Sequence, residues 1–206
     1  MSTSGEATIQ NAEARVDGRT LRRTRNRTAV IAALLEIIRE GNLHPGASEI
    51  ADRAGVSHRS IFRYFDDLDD LVRTAIDYAF AEAGPLAGIP EIGEGPLPER
   101  IASLVDARLA LYQHVDGTMQ LARMRASSIA SIDEGIAQIA ELFRTQIAEH
   151  FAVEFGATPE ADRPLMVDGV LVLTSYDSFT IHLRLLGSDI ERIRAAWVTA
   201  ISAMLS

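Results

Sequence analysis

An all-α fold follows from three features of the sequence. Apolar residues recur at three- and four-residue spacing from Val30 to Met204, the period of a helix with one buried face. No stretch alternates apolar and polar residues as a half-buried strand does. Glycine and proline gather between the periodic runs, as in N-L-H-P-G around Pro45 and in residues 84–98, which hold four of the seven prolines.

The elements follow in order. Residues 1–18 have little apolar periodicity and are expected to be a disordered tail. Five arginines and no acid occupy residues 19–27. This run reads equally as a solvated helix entry or as a basic arm reaching along a nucleic-acid backbone. A first helix is predicted over about 24–40, with Val30, Ile31, Leu34, Leu35, Ile37 and Ile38 as its stripe and Gly41 as its stop. A short second helix, 47–54, turns Ile50, Ala51 and Ala54 inward, where alanines admit close approach.

Gly55 then supplies a turn with positive φ. Ser57 is the expected N-cap of the next helix, its hydroxyl accepting from a first-turn N–H. Ile61 and Phe65 anchor one face of that helix, and Arg59 and Arg63 project from the other. They either solvate the helix or read a polyanion. A helix over 68–83 starts behind Asp66 or Asp67. Beyond the loop 84–98, helices are predicted over about 99–115, 117–129, 132–154 and 162–186. A last one opens on the capping box S-D-I-E at Ser188. The run G-V-L-V-L-T-S-Y is apolar nearly all round, so its helix needs partners on two faces.

Composition excludes several classes of function. The 206-residue chain has no cysteine, and all 20 of its basic residues are arginine. Disulfides, thiol nucleophiles, Schiff-base chemistry and a phosphate-binding P-loop are therefore absent. None of the five histidines has a glutamate three residues before it, no histidine pair has metal spacing, and no Gly-x-Ser-x-Gly element occurs. Neither an enzyme, a metal site nor a cofactor is expected. With no signal pattern and no apolar run near 18 residues, the chain reads as cytoplasmic and away from membranes.

Charge is unevenly spread. Residues 19–65 carry nine arginines against four acids, a net +5 inside a chain of net −9. A polyanionic partner for that end alone is the natural reading. Helix, alanine-rich helix, glycine turn and polar-faced helix together form a helix-turn-helix suited to a major groove.

The segment E-I-A-D-R-A-G-V-S-H-R-S-I-F-R-Y-F carries a nameable resemblance. It resembles the tetracycline-repressor (TetR) family of one-component transcriptional regulators, in which I-A-x-x-A-G-V-S precedes a recognition helix ending in aromatic-x-aromatic-Phe. The match spans about residues 27–80. It implies a DNA-binding domain over 19–67 joined by helix 68–83, as a coupling lever, to a ligand-binding and dimerisation domain over 68–206, about nine helices in all.

The implied DNA contacts are Arg22, Arg23, Arg25, Arg27, Ser48, Ser57, His58, Arg59, Ser60, Phe62, Arg63 and Tyr64. Arg59 suits a bidentate contact to guanine. Tyr64 is either a phosphate contact or a core residue with an exposed hydroxyl. Three positions depart from the family: Leu68 stands where it has lysine, Phe62 lacks a tyrosine hydroxyl, and Pro45-Gly46 replace a threonine pair. The arginines of 19–27 are expected to compensate.

The implied ligand is a mostly apolar small molecule. Candidate contacts are Tyr112, Gln113, His114, Met119, Arg123, Met124, Tyr176 and Phe179, with Leu71, Ile76 and Phe80 coupling the lever to the pocket. Leu173, Ile181, Leu185, Ile193, Trp197 and Ile201 are the expected homodimer interface. The implied function is a repressor released from a palindromic double-stranded operator by ligand. The competing reading is a helical adaptor that binds another protein through residues 165–205.

Overall fold

The computed structural model describes residues 4–206, with side chains from Thr20 onward. Helix α1 spans Ser4–Arg39, α2 Ala47–Ala54, α3 His58–Tyr64 and α4 Leu68–Ala83. A 3₁₀ turn, Gly84–Leu86, precedes α5, Leu97–Ala126. Then come α6 (Ala130–His150), α7 (Ala152–Ala157), α8 (Arg163–Leu173) and α9 (Tyr176–Thr180). A π-turn over Ile181–Leu185 leads to α10, Ile190–Leu205. No strand occurs among the described residues, so the all-α class holds. No helix among them is long and apolar enough to cross a membrane.

The chain divides into two compact units. One runs up to Ala79 and includes Gly117–Met124; the other comprises Phe80–Asp116 and Arg125–Ser206. The first twelve residues of α4, 68–79, fall in the first unit.

In that first unit Leu34, Ile37 and Ile38 of α1, Ile50 of α2, Ile61 of α3 and Leu71 and Ile76 of α4 are all buried. Local punctuation sets the boundaries. Gly41, at φ 95°, ends α1, with the Asn42 N–H bonded to the Ile37 carbonyl. Gly55, at φ 65°, lets the chain leave α2, with the Val56 N–H on the Ala51 carbonyl. Asp67 Oδ1 accepts from the Asp70 N–H at 2.8 Å while Asp70 Oδ2 accepts from the Asp66 N–H at 3.2 Å, a reciprocal cap for α4.

The N-terminal tail is corrected. Helix α1 starts at Ser4, so residues 4–18 of the expected disordered tail are helical, and residues 1–3 lie outside the described residues. The run A-T-I-Q-N-A-E-A-R is made largely of good helix formers, and neither glycine nor proline intervenes before Gly18. The basic run 19–27 is likewise part of this helix, not a free arm.

Helix α5 is one element where two were expected to meet near Gly117. That glycine is a contact, not a stop: a Cβ there would lie 3.1 Å from Ile38 Cγ2 and 3.2 Å from the Ile38 carbonyl oxygen. Bare backbone is what lets α1 and this part of α5 pack so closely.

The second unit is built around Leu104, Val105, Phe143, Ile147, Val170 and Trp197, all enclosed. The expected helix over 162–186 breaks at Thr174-Ser175. Thr174 Oγ1 donates to the Val170 carbonyl at 2.8 Å, and Ser175 Oγ accepts from the Ser178 N–H at 3.1 Å. Short hydroxyl side chains bonding their own backbone end one helix and begin the next. Helix α10 starts on Asp189, whose Oδ1 accepts from the Arg192 N–H at 2.8 Å. Ser188 is not the cap; it is buried, and its hydroxyl has no partner among the described residues.

Candidate functional site

Helix α3 is anchored from behind and open in front. Ile61 is wholly enclosed and Phe65 nearly so. Two links tie its end to α1: Asn26 Nδ2 donates to the Tyr64 hydroxyl at 3.3 Å, and the Arg27 guanidinium sits 4.8 Å over the Phe65 ring. Asn26, then Arg63, hold the Tyr64 pKa below the ordinary phenol value. The Tyr64 ring is half-buried, and its hydroxyl joins α1 to α3.

The outward face carries His58, Arg59, Phe62 and Arg63, all exposed, Phe62 at 46 %. His58 and Phe62 stack one turn apart, with ring centroids 5.2 Å apart. Arg63 lies along Tyr64, donating to its hydroxyl at 2.8 Å. Arg59 makes no hydrogen bond or ion pair within the described residues, and neither arginine touches a carboxylate. Arg53 behaves oppositely: it grips both oxygens of Glu40 at 2.8 Å, which fixes α2 on α1 and removes that guanidinium from use.

The Ser57 cap differs from expectation. Ser57 has the extended backbone of an N-cap, but its hydroxyl shares a 2.8 Å bond with the Ser60 hydroxyl and caps no N–H. Ser57 and Ser48 are exposed and Ser60 is half-buried. Arg22, Arg23, Arg25 and Arg27 are exposed on α1, and the Arg19 side chain lies outside the described residues.

Only part of the ligand set comes together. Tyr112, Tyr176 and Phe179 are buried with centroids 5.6 to 6.1 Å apart, and Trp197 lies 6.5 Å from Tyr112. The two tyrosine hydroxyls are occupied: Tyr112 donates to the Thr174 carbonyl at 2.8 Å and Tyr176 to Asp116 Oδ1 at 2.7 Å. Burial, then Asp116, pushes the Tyr176 pKa well up. Gln113 and His114 are exposed on α5. Met119, Arg123 and Met124 fall in the first unit.

Residues 30–75 match the family model for bacterial regulatory proteins of the tetR family. They form a tetR-family domain. The match covers α2, α3, the second part of α1 and the first part of α4, the elements that present Arg59. Solved structures share the fold of the longer chain. A tetR-family transcriptional regulator from Streptomyces coelicolor superposes with a TM-score of 0.69 at 17 % identity, covering 87 % of this chain and 79 % of that one. A transcriptional regulator from Rhodococcus sp. Rha1 gives 0.66 at 20 % identity, with 87 % and 95 % covered. The multidrug binding protein EbrR, complexed with imidazole, gives 0.54 at 18 % identity, with 90 % and 95 % covered. No curated protein matches the sequence.

Outside the tetR-family domain, the expected dimer interface divides. Ile193, Trp197 and Ile201 have no exposed surface, so they are interior of their own unit and closed to a second copy. Their stripe correctly marks a buried face, and Trp197 on it packs against this chain's own Tyr112. Ile181 and Leu185 are exposed, Leu185 at 76 %, as are Val172 and Leu186, and Leu173 is half-buried.

Several buried polar residues escaped the sequence reading. Arg100, Arg108 and His150 are all enclosed in the second unit. The signal was present in register: Arg108 occupies the helical position between Leu104 and Leu111, inside an apolar stripe.

Proposed function

We propose that the chain is a ligand-responsive, sequence-specific DNA-binding transcriptional regulator. Its simplest working mode is a repressor that leaves a palindromic operator when a small molecule binds the second unit. One observation carries the reading: α3 holds Arg59 exposed and without a carboxylate, on a helix whose back is fixed by Ile61, Phe65 and Tyr64. A guanidinium left in water costs little to hold ready for guanine or phosphate. Matching the tetR-family model over those residues supports the same conclusion.

A homodimer is part of the proposal, since a palindromic site needs two reading helices. The exposed apolar residues Val172, Ile181, Leu185 and Leu186 are the surface we assign to it. The ligand need only favour one of two conformers by a few kcal/mol. Small-molecule binding by EbrR, a structure of the same fold, is consistent with an effector here. A cytoplasmic location fits a regulator of this kind.

Fluorescence anisotropy on the DNA upstream of the gene tests the reading. Selective binding that weakens steeply with salt is expected, and a lack of preference over scrambled DNA overturns it. The same assay tests the arginines of α1. Removing residues 1–23 deletes Arg15, Arg19, Arg22 and Arg23, and the log–log salt slope should become shallower by about 0.9 for each phosphate that is no longer neutralised. Affinity and slope both unchanged would show that this stretch does not touch the backbone.

A further inference from the structure

Two arginines on α5 point into the second unit, and the protein treats them differently. Arg100 is 5 % exposed, and each of its three nitrogens is bonded to an oxygen. Its Nη1 reaches Glu154 Oε2 at 2.9 Å and the His150 carbonyl at 2.7 Å, its Nη2 pairs with Glu154 Oε1, and its Nε donates to the Gly95 carbonyl at 3.1 Å. Charge meets charge, and every edge of the fork finds an oxygen.

Arg108 has no exposed surface and no carboxylate. Its Nη1 donates to the Ala87 carbonyl at 3.0 Å and its Nη2 to Gln146 Oε1 at 2.8 Å, both neutral acceptors. The guanidinium carbon lies 3.7 Å from the Phe143 ring centroid, and Nε is buried with no acceptor. Burial pushes its pKa down to about 10. Enclosing a cation without a counter-charge is among the costliest things an interior can do. Packing alone does not call for it, because a methionine would fill comparable volume without the charge.

We propose that Arg108 is the anion anchor of the effector site, and that the effector is a small organic carboxylate with an apolar body. The Nε and Nη2 edge offers two parallel N–H groups, the geometry that a carboxylate takes in bidentate fashion. Of the two, Nε has no acceptor, and Nη2 is held by an amide side chain that can rotate away. Phe143 under the guanidinium and Tyr112, one turn further along α5, supply an aromatic wall for the apolar body. The inference rests on the proposed sensing role of this unit and names the chemistry it senses.

The test is thermal melting of the full chain, without DNA, against matched probes: octanoate with octanamide, and phenylacetate with phenylacetamide. At least one acid should raise Tm by several degrees, about what a ligand at 100 times its Kd gives a domain of this size. Its amide should give no shift. Arg108→Met should abolish the response and, without ligand, melt at or above the wild type. Arg108→Gln, which keeps a donor but no charge, should also lose the response, and it decides the matter if the methionine variant does not fold.

Three outcomes overturn the proposal: a ligand-free Arg108→Met that folds but melts far below the wild type, acids that stabilise the variants as well as the wild type, or acids that do not stabilise the wild type. Operator binding is read separately by anisotropy. Retained operator binding with no acid response sinks this inference alone, whereas acid binding without any operator selectivity sinks the regulator reading.

Discussion

Arginine is used in opposite ways on α3 and α5. On α3 the guanidinium groups of Arg59 and Arg63 are exposed and touch no carboxylate. On α5 those of Arg100 and Arg108 are enclosed, one matched by Glu154 and one not matched by any acid. In water an unpaired cation costs little, so leaving one unpaired keeps it available. Inside the protein the same choice is expensive, so the presence or absence of a partner separates a structural arginine from one that awaits an anion. Net charge conveys none of this; the chain is acidic overall.

The sharpest way to break the comparison is to remove the matched interior arginine. Arg100→Met strands the Glu154 carboxylate and the His150 carbonyl, and losing one partner of a buried pair costs about 3–5 kcal/mol. Urea unfolding should show this as a lower midpoint with the slope unchanged. Combining it with Glu154→Leu should recover part of the loss, since the orphaned charge goes too. Comparable losses in Arg100→Met and Arg108→Met would mean that both arginines are structural, and the distinction would collapse.

Next in size is the outward pair. Arg59→Ala should weaken operator binding by about 1–3 kcal/mol, roughly fivefold to 150-fold, and relax the preference at one base pair. Arg63→Ala should cost less and act more evenly across sequences, because that guanidinium is already engaged with Tyr64. Neither should change the unfolding free energy by more than about 0.5 kcal/mol. Loss of stability with Arg59→Ala would make this arginine a support of the head and not its reader.

How far these roles were legible depended on whether the signal was local. Gly41, Gly55 and Asp67 fix their helix ends through their own backbone or side-chain geometry, so α2 and α4 were read correctly from sequence alone. The two helices expected over 99–115 and 117–129 are one, and the use of Gly117 inside it was not legible because its reason is Ile38, 79 positions earlier in the chain. Ile193, Trp197 and Ile201 show a buried face, but periodicity does not say which molecule covers it. Arg108 illustrates the same limit. A long side chain on an apolar stripe either lifts its charge out to water or is enclosed, and only the neighbouring elements decide.

The smallest effect expected is a pH dependence specific to the matched interior arginine. His150 is buried beside Arg100, its Nε2 on the Arg100 carbonyl at 2.8 Å and its Nδ1 accepting from the Gly93 N–H at 3.0 Å. Accepting at Nδ1 requires the neutral ring, and burial holds its pKa below the ordinary 6.5; the Arg100 carbonyl is the next-largest influence and pulls it up, while the Arg100 and Arg108 cations add to the lowering and Glu154 opposes it. The unfolded chain therefore binds a proton that the folded chain resists. Stability from this group is complete above about pH 6.5 and is lost as pH falls through the lowered folded value. A second loss follows below 4.5 as Glu154, lowered by its bond from Arg100, takes up its proton. Urea midpoints at about pH 7.5 and 5.5 should fall more for the wild type than for His150→Gln, in which no group titrates there. Equal falls in the two proteins would mean that the ring titrates in the fold as it does in the unfolded chain, with no shift from burial.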